Sequence, residues 1–142
     1  MLTGYFDQRG RPYVQGRLFI PAFGVARVVW FLVDTGADFT SLHPRDSDAL
    51  AIKFGSLGDP IQLAGIGGAQ TYYLADSILT FDEGVRLRNY RLSLRIALPG
   101  QHNRLLPSLL GRDLLQHWRM VYDPTGQRLE FTVRRSDSTL QV

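Results

Sequence analysis

The sequence predicts an all-β fold on three observations. Short β-branched and aromatic runs alternate with glycine and proline along most of the chain. Segments with helical periodicity are few and short. The hydrophobic fraction of 44% and the charged fraction of 20% are typical of a globular protein. At 142 residues the chain fits one domain, 1–142, because single domains cluster near roughly 100–150 residues.

The first predicted hairpin consists of the runs YVQGRLFI (13–20) and VARVVWFLV (25–33), joined by PAFG (21–24). The second run is followed directly by an acidic residue, Asp34. An unpaired buried charge is costly, so a carboxyl group at the end of a buried strand must be paired, neutralised or used.

A second hairpin is predicted over 61–81, with Gly65, Gly67 and Gly68 at its tip. Glycines at such a tip commonly supply positive φ angles, and they also allow a hairpin to act as a hinge. The segment 85–98 alternates between apolar and polar residues for most of its length, which predicts a half-exposed strand.

Two short helical segments are expected, over 43–52 and 112–118. Pro44 lies near the start of the first, and Leu114, Leu115 and Trp118 have helical spacing in the second. The rest of the sequence does not favour helix.

The C-terminal part predicts a closing hairpin over 119–133 that turns on DPTG (123–126). Its Leu129, Phe131 and Val133 would share one face, because strand side chains alternate. The polar segment 134–142 is expected to be a loose tail.

Composition excludes several classes of function. The chain has no cysteine, so it has no disulfide, no thiolate nucleophile and no cysteine-ligated zinc. No apolar run has the length of a membrane span, and the N-terminus lacks the layout of a secretory signal. We therefore expect a cytoplasmic protein that does not bind membranes.

Three further kinds of site are not expected. The net charge of +3 and the pI near 9.6 come with arginines scattered among acidic residues, so nucleic acid is not an expected partner. His43, His102 and His117 are too dispersed to predict a metal site. Ser41 and Ser108 have no evident histidine partner, which argues against a serine nucleophile.

Three separated motifs carry a resemblance to a known family. VDTGAD (33–38), GIGG (65–68) and LLGRDLL (109–115) resemble the catalytic loop, the flap tip and the final Gly-Arg-helix segment of the retropepsin-like aspartic proteases, in order and spacing. The similarity runs from about residue 28 to 115. It implies a closed, barrel-like acid protease fold with a flap hairpin and one or two short helices, and an aspartic endopeptidase without metal or organic cofactor.

The chemistry of such an enzyme requires two carboxylates. A pair about 3 Å apart shares one proton, so that one member acts as base while the other acts as acid. The sequence holds a single Asp-Thr-Gly, because DPTG contains an inserted proline and is typical of a turn. Asp34 is therefore expected to meet Asp34 of a second copy in a symmetric homodimer.

The resemblance also implies roles for neighbouring residues. Thr35 and Gly36 would support the catalytic loop. Arg112 would pair with Asp38 in a partly buried, bidentate contact that holds this loop. Asp113 stands where the retroviral enzymes usually have asparagine, a departure we expect to be tolerated.

The substrate would be a polypeptide lying extended beneath the flap. Gly65, Ile66, Gly67 and Gly68 would form the flap tip. Candidates to line apolar pockets are Phe31, Leu32, Ala37, Ile66 and Leu109.

Two alternatives to a protease remain open. A non-catalytic module could keep the retropepsin fold and bind peptides. A nucleic-acid-binding β-domain is suggested by the pI alone. The segment 119–133 could also contribute a hairpin to a subunit interface.

Overall fold

The computed structural model describes residues 1–65 and 68–142, which are mostly β-strand. Its strands are β1 (Leu2–Thr3), β2 (Tyr5–Phe6), β3 (Pro12–Ile20), β4 (Val25–Val33), β5 (Ser41–Leu42), β6 (Ile61–Gly65), β7 (Gly68–Asp82), β8 (Arg86–Ala97), β9 (Leu109–Leu110), β10 (Trp118–Asp123), β11 (Arg128–Val133) and β12 (Ser138–Gln141). The α-helices are α1 (Pro44–Ser47) and α2 (Arg112–Leu115). Within these two ranges, no helix has the length and apolar character needed to cross a membrane.

The larger sheet closes on itself. Its strand order is β12-β8-β5-β9-β4-β3-β7-β6, with β2 attached to β3, and β7 also pairs with β8. The β7–β8 pairing joins the two sides of the sheet into a ring, which leaves few open edges. The all-β, barrel-like fold predicted from the sequence is confirmed.

The first hairpin forms as predicted. β3 and β4 are paired from Tyr13 and Leu32 to Ile20 and Val25. Alternate β3 residues, such as Val14 and Leu18, are buried, because the alternating sequence places one side of the strand inside the barrel.

A cluster of aromatic rings fills one end of the core. The Phe81 and Trp118 rings meet edge-on with centroids 4.8 Å apart, and Phe131 lies 5.1 Å from Trp118. The Trp118 indole N–H donates a hydrogen bond of 2.7 Å to the Tyr90 hydroxyl, so this buried polar group is satisfied. Phe81 and Tyr90 belong to the barrel, whereas Trp118 and Phe131 belong to a second sheet.

This second sheet has the order β1-β11-β10. The predicted closing hairpin is present as β10 and β11, and Leu129 and Phe131 are buried on one face. The second helix is shorter than predicted, because Trp118 opposes Val133 as the first residue of β10. Its ring fills the aromatic cluster from a strand, so the helical spacing of Trp118 was misleading.

The segment 134–142, expected from the sequence to be a loose tail, contains the strand β12 (Ser138–Gln141). β12 pairs with the beginning of β8, from Ser138 opposite Asn89 to Gln141 opposite Arg86. Asp137 secures this strand, since its carboxylate accepts the Arg91 backbone N–H at 2.7 Å. The partners lie about fifty residues earlier in the chain, so local polarity gave no signal of the strand.

Candidate active site

Four strands present two rows of side chains on opposite faces of the sheet. Residues that alternate along β4, β9, β5 and β8 point to opposite sides. The buried row faces the core and consists of Val33, Leu110, Leu42 and Ile96. The other row consists of Leu32, Leu109, Ser41 and Arg95, which are direct neighbours in register. Leu109, Ser41 and Arg95 of this second row line a cleft.

Asp34 begins the loop that follows β4. Its backbone N–H continues the sheet by donating to the Leu110 carbonyl at 3.0 Å. Its Oδ1 accepts the Gly36 N–H at 2.9 Å. A Cβ on Gly36 would lie only 3.3 Å from this oxygen, so glycine permits the close approach of the backbone to the carboxylate. Asp34 is partly buried, whereas Thr35 and Gly36 are exposed.

The start of α2 holds this loop through its backbone. The Arg112 N–H donates to the Ala37 carbonyl at 2.8 Å, and the Asp113 N–H donates to the Asp38 carbonyl at 3.2 Å. Gly111 packs so tightly on the loop that a Cβ there would lie 2.5 Å from the Phe39 carbonyl carbon. Backbone hydrogen bonds therefore join the motif that contains Asp34 to the motif that contains Gly111, although the two are far apart in the sequence.

The Arg112 and Asp38 side chains are in contact, but their pairing differs from the expected form. One Arg112 nitrogen contacts Asp38 Oδ1, and another donates to the Thr35 carbonyl at 2.9 Å. The guanidinium thus joins a carboxylate to a backbone oxygen instead of binding the carboxylate bidentately. In the single chain the Asp38 side chain is 66% exposed and that of Arg112 is 53% exposed, so the expected partial burial is absent.

Asp113 has a larger role than the sequence indicated. Both of its oxygens accept the Thr40 N–H at 3.0 Å, and Oδ1 also accepts the Thr40 hydroxyl at 2.7 Å. That hydroxyl oxygen in turn accepts the Gly111 N–H at 3.1 Å. A carboxylate suits this position because it only accepts hydrogen bonds. Thr40 is 73 residues away, which is why sequence reasoning missed this link.

A cleft of about 310 Å³ lies beside the loop. Its lining residues are Ala37, Asp38, Phe39, Ser41, Leu63, Ala64, Tyr72, Arg95 and Leu109. Ala37 and Leu109, which the sequence named as candidates to line a pocket, are among these residues. Phe31 is fully buried in the core, because it alternates with Leu32 on β4, so its assignment to a pocket wall is wrong.

The β6–β7 hairpin borders this cleft through Leu63, Ala64 and Tyr72. Gly65 and Gly68 are the last described pair of this hairpin, and Gly68 has a φ of +113° that favours glycine. The predicted tip residues Ile66 and Gly67 lie outside the described residues.

A buried polar network adjoins the cleft. His43 Nδ1 donates to the Pro107 carbonyl at 2.7 Å, and its Nε2 lies 3.5 Å from the Tyr72 hydroxyl. Ser108 accepts the His43 backbone N–H at 3.0 Å and donates its hydroxyl to Asp46 at 2.6 Å. The hydroxyl of Ser108 is therefore committed to a structural bond and is not activated by histidine.

Burial shifts the pKa of two groups in this network. It lowers the pKa of His43, with the Pro107 hydrogen bond and nearby Asp46 acting in the opposite direction. Burial also raises the pKa of Tyr72, and Arg95 partly offsets this effect. Sequence reasoning considered His43 only as a metal ligand. In the described part of the chain, no group of three or more histidine or acidic side chains is placed to hold a metal ion.

Two solved proteases share this architecture. A retropepsin-like aspartic protease from Rickettsia conorii superimposes with a TM-score of 0.58 over 91% of this chain and 95% of that chain, at 22% identity. The protease of EIAV, in complex with the inhibitor HBY-793, gives a TM-score of 0.50 over 78% of this chain and 90% of that chain, at 21% identity. This chain has the retropepsin-like fold. No family model matches the sequence, and no curated protein matches it either.

The retropepsin-like fold brings the sequence motifs together. The loop with Asp34 lies against the segment with Gly111 and Arg112, and both border the cleft beside the β6–β7 hairpin. The arrangement offers a carboxylate directly after a largely buried strand end and a groove lined by the loop that follows it.

Proposed function

We propose that the protein is an aspartic endopeptidase, in which Asp34 from each of two subunits forms the catalytic dyad. The observation that carries this proposal is the place of Asp34 in a retropepsin-like fold. Asp34 directly follows the buried end of β4, its carboxylate accepts the Gly36 N–H, and the residue is only partly buried. Ala37 and Asp38 of the same loop line the cleft. A rigid, supported carboxylate is what proton transfer in a defined geometry requires.

Two subunits follow from the chemistry. One carboxylate cannot act as base towards water and as acid towards the leaving nitrogen in the same step. Asp123, in the related sequence DPTG, is held in a turn where its Oδ1 accepts the Gly126 N–H at 3.0 Å. The exposed Thr35 and Gly36 lie next to Asp34, so a second chain has access to this loop.

The proposed reaction is a direct attack by water. One Asp34 carboxylate removes a proton from the water, whose oxygen bonds to the peptide carbonyl carbon. The partner carboxyl group then donates its proton to the nitrogen as the C–N bond breaks. The two carboxylates share one proton because their charges are too close for both to ionise.

The substrate would be an extended polypeptide in the cleft. Strands that border a groove can bind such a chain through main-chain hydrogen bonds, while side chains fill the spaces between. The tip formed by Gly65, Ile66, Gly67 and Gly68 would close over the peptide and exclude water. Thr35, Gly36, Asp38 and Arg112 would keep the catalytic loop in place.

The test is cleavage of an unbiased peptide pool from about pH 4 to about pH 7.5. Wild-type protein is compared with Asp34→Asn, which removes the ionisable group, and with Asp123→Asn, which changes an aspartate in the hairpin turn. We expect cleavage by wild type and Asp123→Asn, and none by a folded Asp34→Asn.

Two outcomes would contradict the proposal. Cleavage by Asp34→Asn equal to that of wild type would remove Asp34 from the mechanism. Absence of cleavage by any form, together with retained binding of peptides, would favour the non-catalytic peptide-binding module.

A further inference from the structure

The polar side chains that line the cleft indicate which substrate residues it would accept. We propose that it selects a substrate residue whose side chain ends in a carboxylate, aspartate or glutamate, and that Arg95 and Ser41 bind this group. The inference rests on the proposed function only in calling the bound peptide a substrate. It follows from polar groups in the cleft that no catalytic role uses.

The sheet register places these groups side by side. Ser41 on β5 pairs with Leu109 on one side and with Arg95 on the other. Residues in register share one face of a sheet, so Ser41 and Arg95 lie next to the apolar Leu109 in the cleft. The row thus changes from apolar to cationic with increasing distance from β4, the strand that leads to Asp34.

Arg95 is held in place without an acidic partner. Its guanidinium carbon lies 3.7 Å from the centre of the Phe39 ring, and the side chain is only partly buried. Stacking on a ring leaves the N–H groups in the guanidinium plane available to a planar acceptor. Among residues 1–65 and 68–142, no aspartate or glutamate forms an ion pair with Arg95.

Ser41 is a buried hydroxyl that lacks a partner. The residue is 4% exposed, and its Oγ makes no hydrogen bond within the described part of the chain. Buried polar side chains nearly always have a partner, so an unsatisfied one in a cleft indicates a missing acceptor or donor. Tyr72 lines the same cleft, and burial raises the pKa of its hydroxyl.

The charges of the cleft favour an anion. Asp38 is the acidic residue in the lining, and Arg112 already contacts its carboxylate. Arg95 therefore supplies the unpaired charge. A leucine side chain in this place would desolvate the guanidinium and leave the Ser41 hydroxyl unpaired, which a binding site penalises strongly. Leu63, Ala64 and Leu109 limit the water around a bound carboxylate and so strengthen its attraction to Arg95.

The first measurement compares kcat/KM for peptides that differ at one position by Glu, Gln or Leu. We expect one position at which Glu is favoured over Leu by at least about tenfold, since charge-assisted bonds are the stronger ones. Arg95→Met should bring the ratio close to one. Ser41→Ala should reduce it by a smaller factor, and Arg95→Lys should retain part of it because the charge remains.

Arg91→Met is the matched control. Arg91 lies on the same strand and on the same face as Arg95, is exposed, and lies outside the cleft lining. The substitution makes the same change in charge, so it should leave the Glu/Leu ratio unchanged. Thermal unfolding of each variant verifies that the fold persists.

A second measurement does not depend on catalysis. The affinities of the same Glu, Gln and Leu peptides for Asp34→Asn protein are determined by calorimetry. Tighter binding of the Glu peptide that disappears in Asp34→Asn/Arg95→Met supports the inference, even if wild type cleaves nothing and the protease proposal fails. Cleavage without an acidic preference at any position, or a preference unchanged in Arg95→Met, overturns the inference and leaves the protease proposal intact.

Discussion

His43 shows how one residue can make this fold sensitive to pH. Its Nδ1–H is donated to the Pro107 carbonyl, so Nε2 is the unprotonated nitrogen and faces the Tyr72 hydroxyl. Protonation of Nε2 would place a second donor opposite this hydroxyl and a charge in a buried site. Burial is the largest cause and lowers the pKa of His43, whereas the Pro107 hydrogen bond and the nearby acidic Asp46 act to raise it.

We therefore predict that His43 makes the protein less stable in acid. Below about pH 6.5 the unfolded chain binds this proton more readily than the folded one, so the free energy of unfolding falls as the pH falls. The largest slope from one proton is about 1.4 kcal/mol per pH unit. Urea unfolding from about pH 7 to about pH 5 should give a flatter profile for His43→Asn than for wild type.

His102 provides the control, since it is exposed. His102→Asn should reproduce the wild-type slope. If His43→Asn and wild type lose stability in parallel over this range, other groups cause the acid sensitivity.

Some residues of the candidate site could be predicted from the sequence, whereas the hydrogen-bond partners of others could not. Asp34, Asp38 and Arg112 could be proposed from the sequence because they belong to local motifs with a recognisable order. Asp113 and His43 were not assigned their partners, because Thr40 and Pro107 are 73 and 64 residues away. A sequence shows which groups can form hydrogen bonds, but the fold decides which groups meet.

At the scale of elements, the loop that begins at Asp34 depends on its contact with α2. This helix has only four residues, and it holds the loop through the backbone hydrogen bonds of its first turn. Those bonds hold the carbonyls of Ala37 and Asp38. Gly111 permits the contact because a larger residue has no space beside Phe39.

Gly111→Ala should therefore separate the loop from α2. Its Cβ would meet Phe39 backbone atoms at 2.5 to 2.9 Å, which cannot move as a flexible side chain would. We expect a loss of about 2–3 kcal/mol in the free energy of unfolding, measured in urea.

Gly100→Ala is the matched substitution, since a Cβ there meets nothing within 4 Å. It should change stability by less than about 0.5 kcal/mol. Equal effects of the two substitutions would show that the tight contact at Gly111 is not important.

Local patterns predicted some elements and missed others. β3 and β4 were clear because strict alternation and a short turn define a hairpin locally. β12 was missed, and α2 was predicted too long, because pairing with β8 and packing of Trp118 decide these regions. Contacts formed at a distance override weak local preferences.

At the scale of the whole molecule, one chain forms a barrel and a three-stranded sheet. It supplies only one Asp34, whereas the proposed dyad needs two. β1 pairs with β11 of its own chain, so the short N-terminal strand is already occupied. In the proposed dimer the two Asp34 loops would meet on a two-fold axis. The hairpin of β10 and β11 remains a candidate for further subunit contacts, as the sequence suggested.

Shared catalysis is tested most directly by mixing subunits. Wild-type and Asp34→Asn chains are combined in denaturant in equal amounts, refolded together and assayed on a cleaved peptide. If each active site needs Asp34 from both chains, random pairing leaves about one quarter of the activity of an all-wild-type sample. About one half would remain if each chain worked alone, and that result would contradict the shared dyad.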